Sequence, residues 1–235
     1  MDVNKAFRFM FDDKQWISKL LIGAVMSVLS FLIIPAFILQ GYLVKIVRQV
    51  MDGNDSELPE WMDYGKLVRD GFFVTIGQLI WALPFILLML IVGLVTGGLG
   101  SVVDSSGDMV AAATTGAGLL VACLVLLTVI AFLFLTPALL IQYAREDEFG
   151  ALFRFSEIFD IIRDHMADIL IAFLVSVVAV LAISVVTGIV AIVPCLGWIA
   201  AVLIGLAMGP YIQFVTGHLY GQIAAKLPGG KGAAY

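Results

Sequence analysis

The chain has few charged residues and only two cysteines. Both features limit the kinds of protein to which it can belong. Charged residues make up 13% of the 235 positions, whereas soluble domains usually carry about 25%. Cys123 and Cys195 lie in apolar segments without Cys-x-x-Cys spacing, which argues against a disulfide framework or a cysteine metal site. The net charge of −5 argues against nucleic acid as a partner, because proteins that bind nucleic acid carry basic patches.

The familiar catalytic sequence motifs are also missing. The chain contains no His-Glu-x-x-His, no P-loop and no Gly-x-Ser-x-Gly, the patterns of metalloproteases, nucleotide-binding enzymes and serine hydrolases. The apolar runs 71–95, 117–143 and 169–193 hold no Asp, Glu, Lys, Arg or His, although transport and catalytic sites inside membranes usually contain one. We therefore expect no enzyme activity, no cofactor and no metal site.

Apolar residues dominate what is present. They make up 62% of the chain, and the mean hydropathy is +1.08. Crossing a bilayer takes about 20 mostly apolar residues, and runs of that kind lie near 71–95, 117–143, 168–193 and 197–224. The sequence therefore predicts an all-α polytopic membrane protein, a single helical domain over 1–235 in the cell membrane.

The distribution of lysine and arginine in short loops predicts the topology. The connectors 97–116 and 194–197 contain neither residue, whereas the 48–70 loop, the 145–166 segment and the C-terminal end each contain at least two. This pattern puts the two connectors outside and the C-terminus in the cytoplasm. It predicts two long hairpins from residue 71 onward.

The first apolar segment, 17–47, can be interpreted in two ways. Basic residues stand at both of its ends, which favours a hairpin whose arms of about 14 residues, roughly 21 Å long, would be re-entrant. A single helix kinked at Pro35 would instead give five spans. A Pro followed by a Tyr recurs in 34–43, 136–145 and 209–221. That recurrence favours three helical hairpins, the first short or re-entrant, over five spans.

Two segments carry apolar residues along one helical face only. In 2–14 these are Val3, Ala6, Phe7, Met10 and Phe11, and 149–166 shows the same pattern opposite a charged face. Both predict amphipathic helices lying at the membrane interface. The row Asp160, Asp164 and Asp168, and the five acids of 52–63, are interpreted as a solvated face and a solvated loop.

Few residues within the spans are candidates for helix kinks or polar contacts. Prolines can break helices around a cavity, and the spans hold few amides and one histidine. A single histidine without a buried carboxylate partner cannot form a proton relay, so we expect it to be interfacial or bonded to its helix. The candidates are Pro35, Pro137, Pro210, Gln78, Gln213 and His218.

Three sequence blocks resemble a known family. FDDKQWISKLLIGAV (11–25), LIIPAFILQGYLVKIVRQVMDG (32–53) and LPEWMDYGKLVRDG (58–71) are similar to the uncharacterised integral-membrane family catalogued as domain of unknown function 4013, found mainly in archaea. The chain is also similar, more distantly, to bacterial membrane proteins of unknown function with a Pro, a Gly-Tyr and a Gly-Phe pair, matched here by Pro35, Gly41, Tyr42, Gly71 and Phe72. The family resemblance implies a helical membrane fold and an N-terminal motif that matters. It assigns no catalytic residue.

These observations favour a noncatalytic integral membrane protein with a structural, partner-binding or lipid-organising role. Its expected partners are membrane lipids and a membrane protein or a second copy of the chain, since small residues such as those of 197–209 permit close helix approach. The alternative is a transporter or channel for a small or apolar solute. An enzyme acting on lipid headgroups is a third possibility. It would need the acidic residues of 160–168 or 52–63 to come together at the inner membrane surface.

Overall fold

The computed structural model describes residues 1–102 and 107–227. Within them the chain is helical and without strands. The α-helices are α1 (Val3–Asp12), α2 (Trp16–Val28), α3 (Ile34–Met51), α4 (Tyr64–Val102), α5 (Gly107–Glu146), α6 (Phe155–Val190) and α7 (Leu196–Ala225). Short 3-10 helices cover Leu29–Leu32 and Phe149–Phe153. The helices α4 and α5 extend into the predicted connector 97–116, of which 103–106 lie outside the described residues, as does Lys231.

Four helical segments among the described residues are long and apolar enough to cross a membrane. They are Tyr64–Leu94, Gly118–Glu146, Phe155–Val190 and Leu196–Ala225, and the count becomes five if α1 and Trp16–Leu32, bent by 103°, form one span. Only 6–17% of their most apolar windows is buried inside the protein. Such exposed apolar surface suits a lipid environment, and the prediction of a polytopic all-α membrane protein is confirmed.

The first apolar segment folds back on itself. The chain reverses at Ile33, whose φ is +67°, and α3 then begins with Pro35 in its first turn, where a missing N–H loses no helical hydrogen bond. Lys19 in α2 and Tyr42 in α3 both bond carbonyl groups of the 52–63 loop, at Leu58 and Pro59. The start of α2 and the middle of α3 thus lie at one level, and the two helices form a short hairpin.

Both ends of the described chain lie on the same end of the bundle. The backbone N–H of Asp2 donates to Gln222 Oε1 at 2.6 Å, and Gln222 Nε2 donates to the carbonyl oxygen of Asp2 at 2.9 Å. We call this end, together with the 52–63 loop and residues 147–154, the polar end. The interpretation of the hairpins as three sequence repeats stays a prediction.

The two predicted amphipathic segments have different outcomes. The first forms α1, which buries Ala6, Phe9 and Met10 against the bundle. The second is not a separate helix, because its first residues form a 3-10 helix and the rest continue directly into α6. A non-helical residue, His165 with φ −121° and ψ 21°, marks a kink there.

Helices α3 and α4 cross with their backbones in contact. A Cβ added to Gly41 would lie 1.9 Å from the carbonyl oxygen of Leu67, and one added to Gly71 would lie 1.8 Å from that of Phe37. No side chain fits at either position, so both must be glycine. This contact gives a physical reason for the two glycines in the N-terminal motif.

Candidate functional site

The 52–63 loop packs onto the bundle through Leu58, Pro59 and Trp61, while its five acidic residues are exposed or half-buried, as predicted for a solvated acidic cluster. Trp61 stacks on Tyr42 with ring centroids 3.7 Å apart and planes at 3°, and both side chains are buried along with Leu58. The Tyr42 hydroxyl donates to the carbonyl oxygen of Pro59 at 2.7 Å, and Trp61 Nε1 donates to that of Lys19 at 3.0 Å. The sequence signal of this packing was the presence of Leu58, Pro59 and Trp61 within the acidic segment.

A buried lysine ties the loop to the first hairpin. Lys19 is 4% exposed and Asp13 is 5% exposed, and Lys19 Nζ lies 2.6 Å from Asp13 Oδ2, 2.9 Å from Glu60 Oε1 and 2.7 Å from the carbonyl oxygen of Leu58. Burial by itself raises the pKa of the Asp13 carboxyl, but hydrogen bonds from Lys19 and Gln15 and the lysine charge outweigh it, so that the pKa is lowered. Asp13 therefore stays ionised.

A second network joins α3, α4 and the end of α5. Arg48 Nη1 lies 2.5 Å from Asp70 Oδ2, and Arg48 Nη2 lies 2.9 Å from Asp147 Oδ1. The other Asp70 oxygen accepts from the buried Tyr143 hydroxyl at 2.9 Å and from Arg69 Nη2 at 3.0 Å. Burial raises the pKa of Asp147, but the charges of Arg48 and its cationic neighbours outweigh burial and lower it. Asp70 and Asp147 each pair with at least two cationic side chains in this network.

His218 is fully buried in α7. Its Nε2 lies 3.2 Å from the carbonyl oxygen of Asp55, its Nδ1 lies 3.1 Å from Gln222 Nε2, and its ring lies 4.4 Å from that of Phe9. The partners are thus a backbone carbonyl and an amide. His218 therefore holds α1 and the 52–63 loop against α7 through these contacts. None of these contacts is with a carboxylate that could form a proton relay.

The remaining candidate residues do not converge on one site. Pro137 and Pro210 lie inside α5 and α7, and Gln213 is half-buried in α7. Gln78 in α4 is unusual, since its Nε2 is buried and has no hydrogen-bond partner. No hydrogen bond among the described residues joins Gln78, Gln213 and His218.

Two adjoining apolar cavities form a groove along α4. One, of about 470 Å³, lies between α4, α5, the second 3-10 helix and α6, and the other, also about 470 Å³, lies between α4 and α5. Phe85 lines both, so we treat them together as the apolar groove. Other side chains that line it include Trp81, Met89, Leu90, Phe132, Phe134 and Phe159.

The acidic row of α6 is engaged in ion pairs. Asp160 and Asp164 pair with Arg163 at 3.2 and 3.0 Å, and Asp168 pairs with Lys226 at 2.7 Å. No group of three or more His, Cys, Asp or Glu side chains in 1–102 and 107–227 has the arrangement of a metal site. The row therefore contributes a charged helix surface.

Comparisons with known proteins supply a family and no activity. An uncharacterized protein of Methanocaldococcus jannaschii, MJ1189, is 34% identical over 70 residues, a stretch that covers 29% of this chain and 24% of that protein. No solved structure matches the chain. The model of the family described as "Protein of unknown function (DUF4013)" matches residues 28–195, which include both helices of the Gly41–Gly71 crossing and the Arg48 network. The chain belongs to this family of proteins of unknown function.

Proposed function

We propose that the chain is a noncatalytic integral membrane protein that organises lipid and holds a hydrocarbon chain in the apolar groove. The lining of the groove carries this proposal. Its polar side-chain groups are already satisfied, because the Thr128 hydroxyl donates to the carbonyl oxygen of Leu124 at 2.7 Å and Trp81 Nε1 donates to that of Leu152 at 2.9 Å. Aromatic and aliphatic groups make up nearly all the rest, and they suit a hydrocarbon chain.

The polar residues of the two networks support the same proposal. Lys19, Arg48 and Asp70 are held in networks with protein partners, and such networks stabilise helix packing. We also propose that the protein lies in the cell membrane with its polar end facing the cytoplasm. The lysines and arginines of the 48–70 and 145–166 segments support that orientation.

Lipid retention tests the groove. We would purify the protein in mild detergent and measure bound lipid per chain by mass spectrometry. Ala82→Phe and Ala131→Phe place a phenyl ring in the two cavities and should reduce tightly bound lipid. Val202→Phe is the matched control, because it adds the same ring to an exposed face of α7. Equal lipid retention by all three variants would contradict the proposal.

A transporter for a small solute is the second candidate function, and Gln78 favours it. A buried amide donor without an acceptor is costly, and a passing solute with an acceptor group would satisfy it. We would measure uptake of a panel of small neutral solutes into proteoliposomes. Transport predicts flux that falls in Gln78→Leu and persists in Gln213→Leu, whereas flux equal to that of empty liposomes would exclude this function for the panel.

A further inference from the structure

A polar pocket lies between α3 and the start of α4, at the polar end. Its volume is about 130 Å³, room for a few molecules the size of water. Its lining includes three cationic side chains, Lys45, Arg48 and Lys66, and two carboxylates, Asp63 and Asp70. The apolar groove begins at Ile80 of α4, so the pocket is a separate feature.

The charges of the pocket are only partly compensated. Both oxygens of Asp70 are occupied, one by Arg48 and the other by Arg69 and the Tyr143 hydroxyl. Asp63 Oδ1 accepts the backbone N–H of Lys66 at 3.4 Å. The lining holds three cations and two carboxylates. Asp147 pairs with Arg48 and Lys66 from outside the lining. Arg69 pairs with Asp70 and Asp147, so the whole network has four cations and three carboxylates and a net charge of +1.

Two of the cations keep hydrogen-bond donors for a ligand. Lys45 Nζ donates to the carbonyl oxygen of Glu60 at 2.6 Å, and Lys66 Nζ pairs with Asp147 at 3.4 Å. An ammonium group has three donors, so each lysine can bond a further acceptor. Arg48 is held in place by Asp70 and Asp147, which keeps its charge beside the pocket.

We propose that this pocket binds the phosphodiester of a membrane lipid headgroup. A phosphodiester carries one negative charge, which matches the +1 network, and its oxygens accept charge-assisted hydrogen bonds from ammonium groups. The pocket lies where α3 ends and before the uncharged run of α4, which starts at Gly71, the depth at which headgroups meet basic side chains. The inference rests on the lipid-binding function proposed above, and it adds the headgroup chemistry.

Titration with two lipids that share acyl chains tests the site. Delipidated protein in detergent would be titrated with dioleoylphosphatidylglycerol or with dioleoylglycerol, and binding followed by native mass spectrometry. We expect tighter binding of the phospholipid, and a loss of about fivefold in its affinity in Lys66→Gln. Lys66→Arg should retain the affinity. Lys66 is an exposed side chain, so these variants should fold.

The controls separate the headgroup site from the groove. Arg163→Gln removes an exposed cation of α6 that does not line the pocket. It should leave the affinities for the phospholipid and for dioleoylglycerol unchanged. Equal affinity for both lipids, or equal losses in Lys66→Gln and Arg163→Gln, would overturn the headgroup site and leave the groove proposal standing. Absence of binding by either lipid would overturn both. Displacement of the phospholipid by equimolar inorganic phosphate would also overturn the assignment, because the site would then bind free phosphate.

Discussion

The two ends of the bundle are built in different ways. At the polar end the helices touch backbone to backbone at Gly41 and Gly71, and the Lys19–Asp13 and Arg48–Asp70 pairs are 2.6 and 2.5 Å long. Away from it, α4 to α7 expose large aliphatic side chains such as Leu94 and Leu203. The helices therefore pack closely at the polar end and leave many apolar side chains exposed over the rest of their length.

The difference follows from the surrounding solvent. Lipid tails are as apolar as leucine, so apolar side chains gain little by leaving lipid for a neighbouring helix. Close packing at small residues and polar contacts remain as the forces that specify helix association. We conclude that the polar end specifies the fold, and that the apolar part is available to lipid.

The largest effect should come from a side chain at the backbone crossing. Gly71→Ala would place a methyl group 1.8 Å from the carbonyl oxygen of Phe37, and helix backbones cannot yield locally. We expect the free energy of unfolding to fall by more than about 5 kcal/mol, or folding to fail. Equilibrium unfolding in mixed SDS micelles, followed by circular dichroism, measures the change.

Gly205→Ala is the matched control in the apolar part. Apart from the adjacent residues and the backbone of its own helix turns, nothing lies within 4 Å of the added methyl group, and alanine is favoured over glycine in a helix by about 1 kcal/mol. The variant should be as stable as the wild type or slightly more so. A comparable loss in both variants would contradict the proposed contrast between the two ends.

Removing the buried lysine should have the next largest effect. Lys19→Met leaves Asp13 buried without its cation, and breaking one partner of a buried ion pair costs about 3–5 kcal/mol. Arg163→Met also removes a cation with two carboxylate partners, but its side chain is 73% exposed, and we expect a change within about 0.5 kcal/mol. The same unfolding assay compares them, and equal effects would contradict a specifying role for the polar end.

The ion pairs of the polar end should also make the stability of the protein fall as the pH becomes acidic. The pKa of Asp13 is lowered in the folded protein, so its ionised form contributes stability above the unfolded pKa of about 3.9. That contribution is lost as the pH falls through the folded pKa. Asp13→Asn should be less stable than the wild type at neutral pH and lose less stability between pH 5 and the acid limit of the assay, measured by thermal unfolding. Parallel pH curves for the two proteins would refute the prediction.

Much of the fold could be predicted from the sequence because the signals are local. Apolar runs placed the long helices, and the short arms with basic residues at both ends predicted the first hairpin. The networks could not be predicted, because their members are distant in the chain. Tyr143 meets Asp70 and Arg48 meets Asp147 across 73 and 99 positions, and the glycines of the motif acquired a reason only through their contact in three dimensions.

The smallest effect should come from shortening a lipid-facing side chain. Leu203 is 61% exposed in α7, so its side chain meets lipid in the folded bundle and in the dissociated helices alike. Leu203→Ala leaves no internal cavity, and we expect a change within about 0.5 kcal/mol. Leu139→Ala removes the same atoms from a fully buried site in α5, where the resulting cavity costs about 2–5 kcal/mol. If unfolding in mixed micelles gave equal losses for the two variants, Leu203 would have to be covered by a second copy or a partner rather than by lipid.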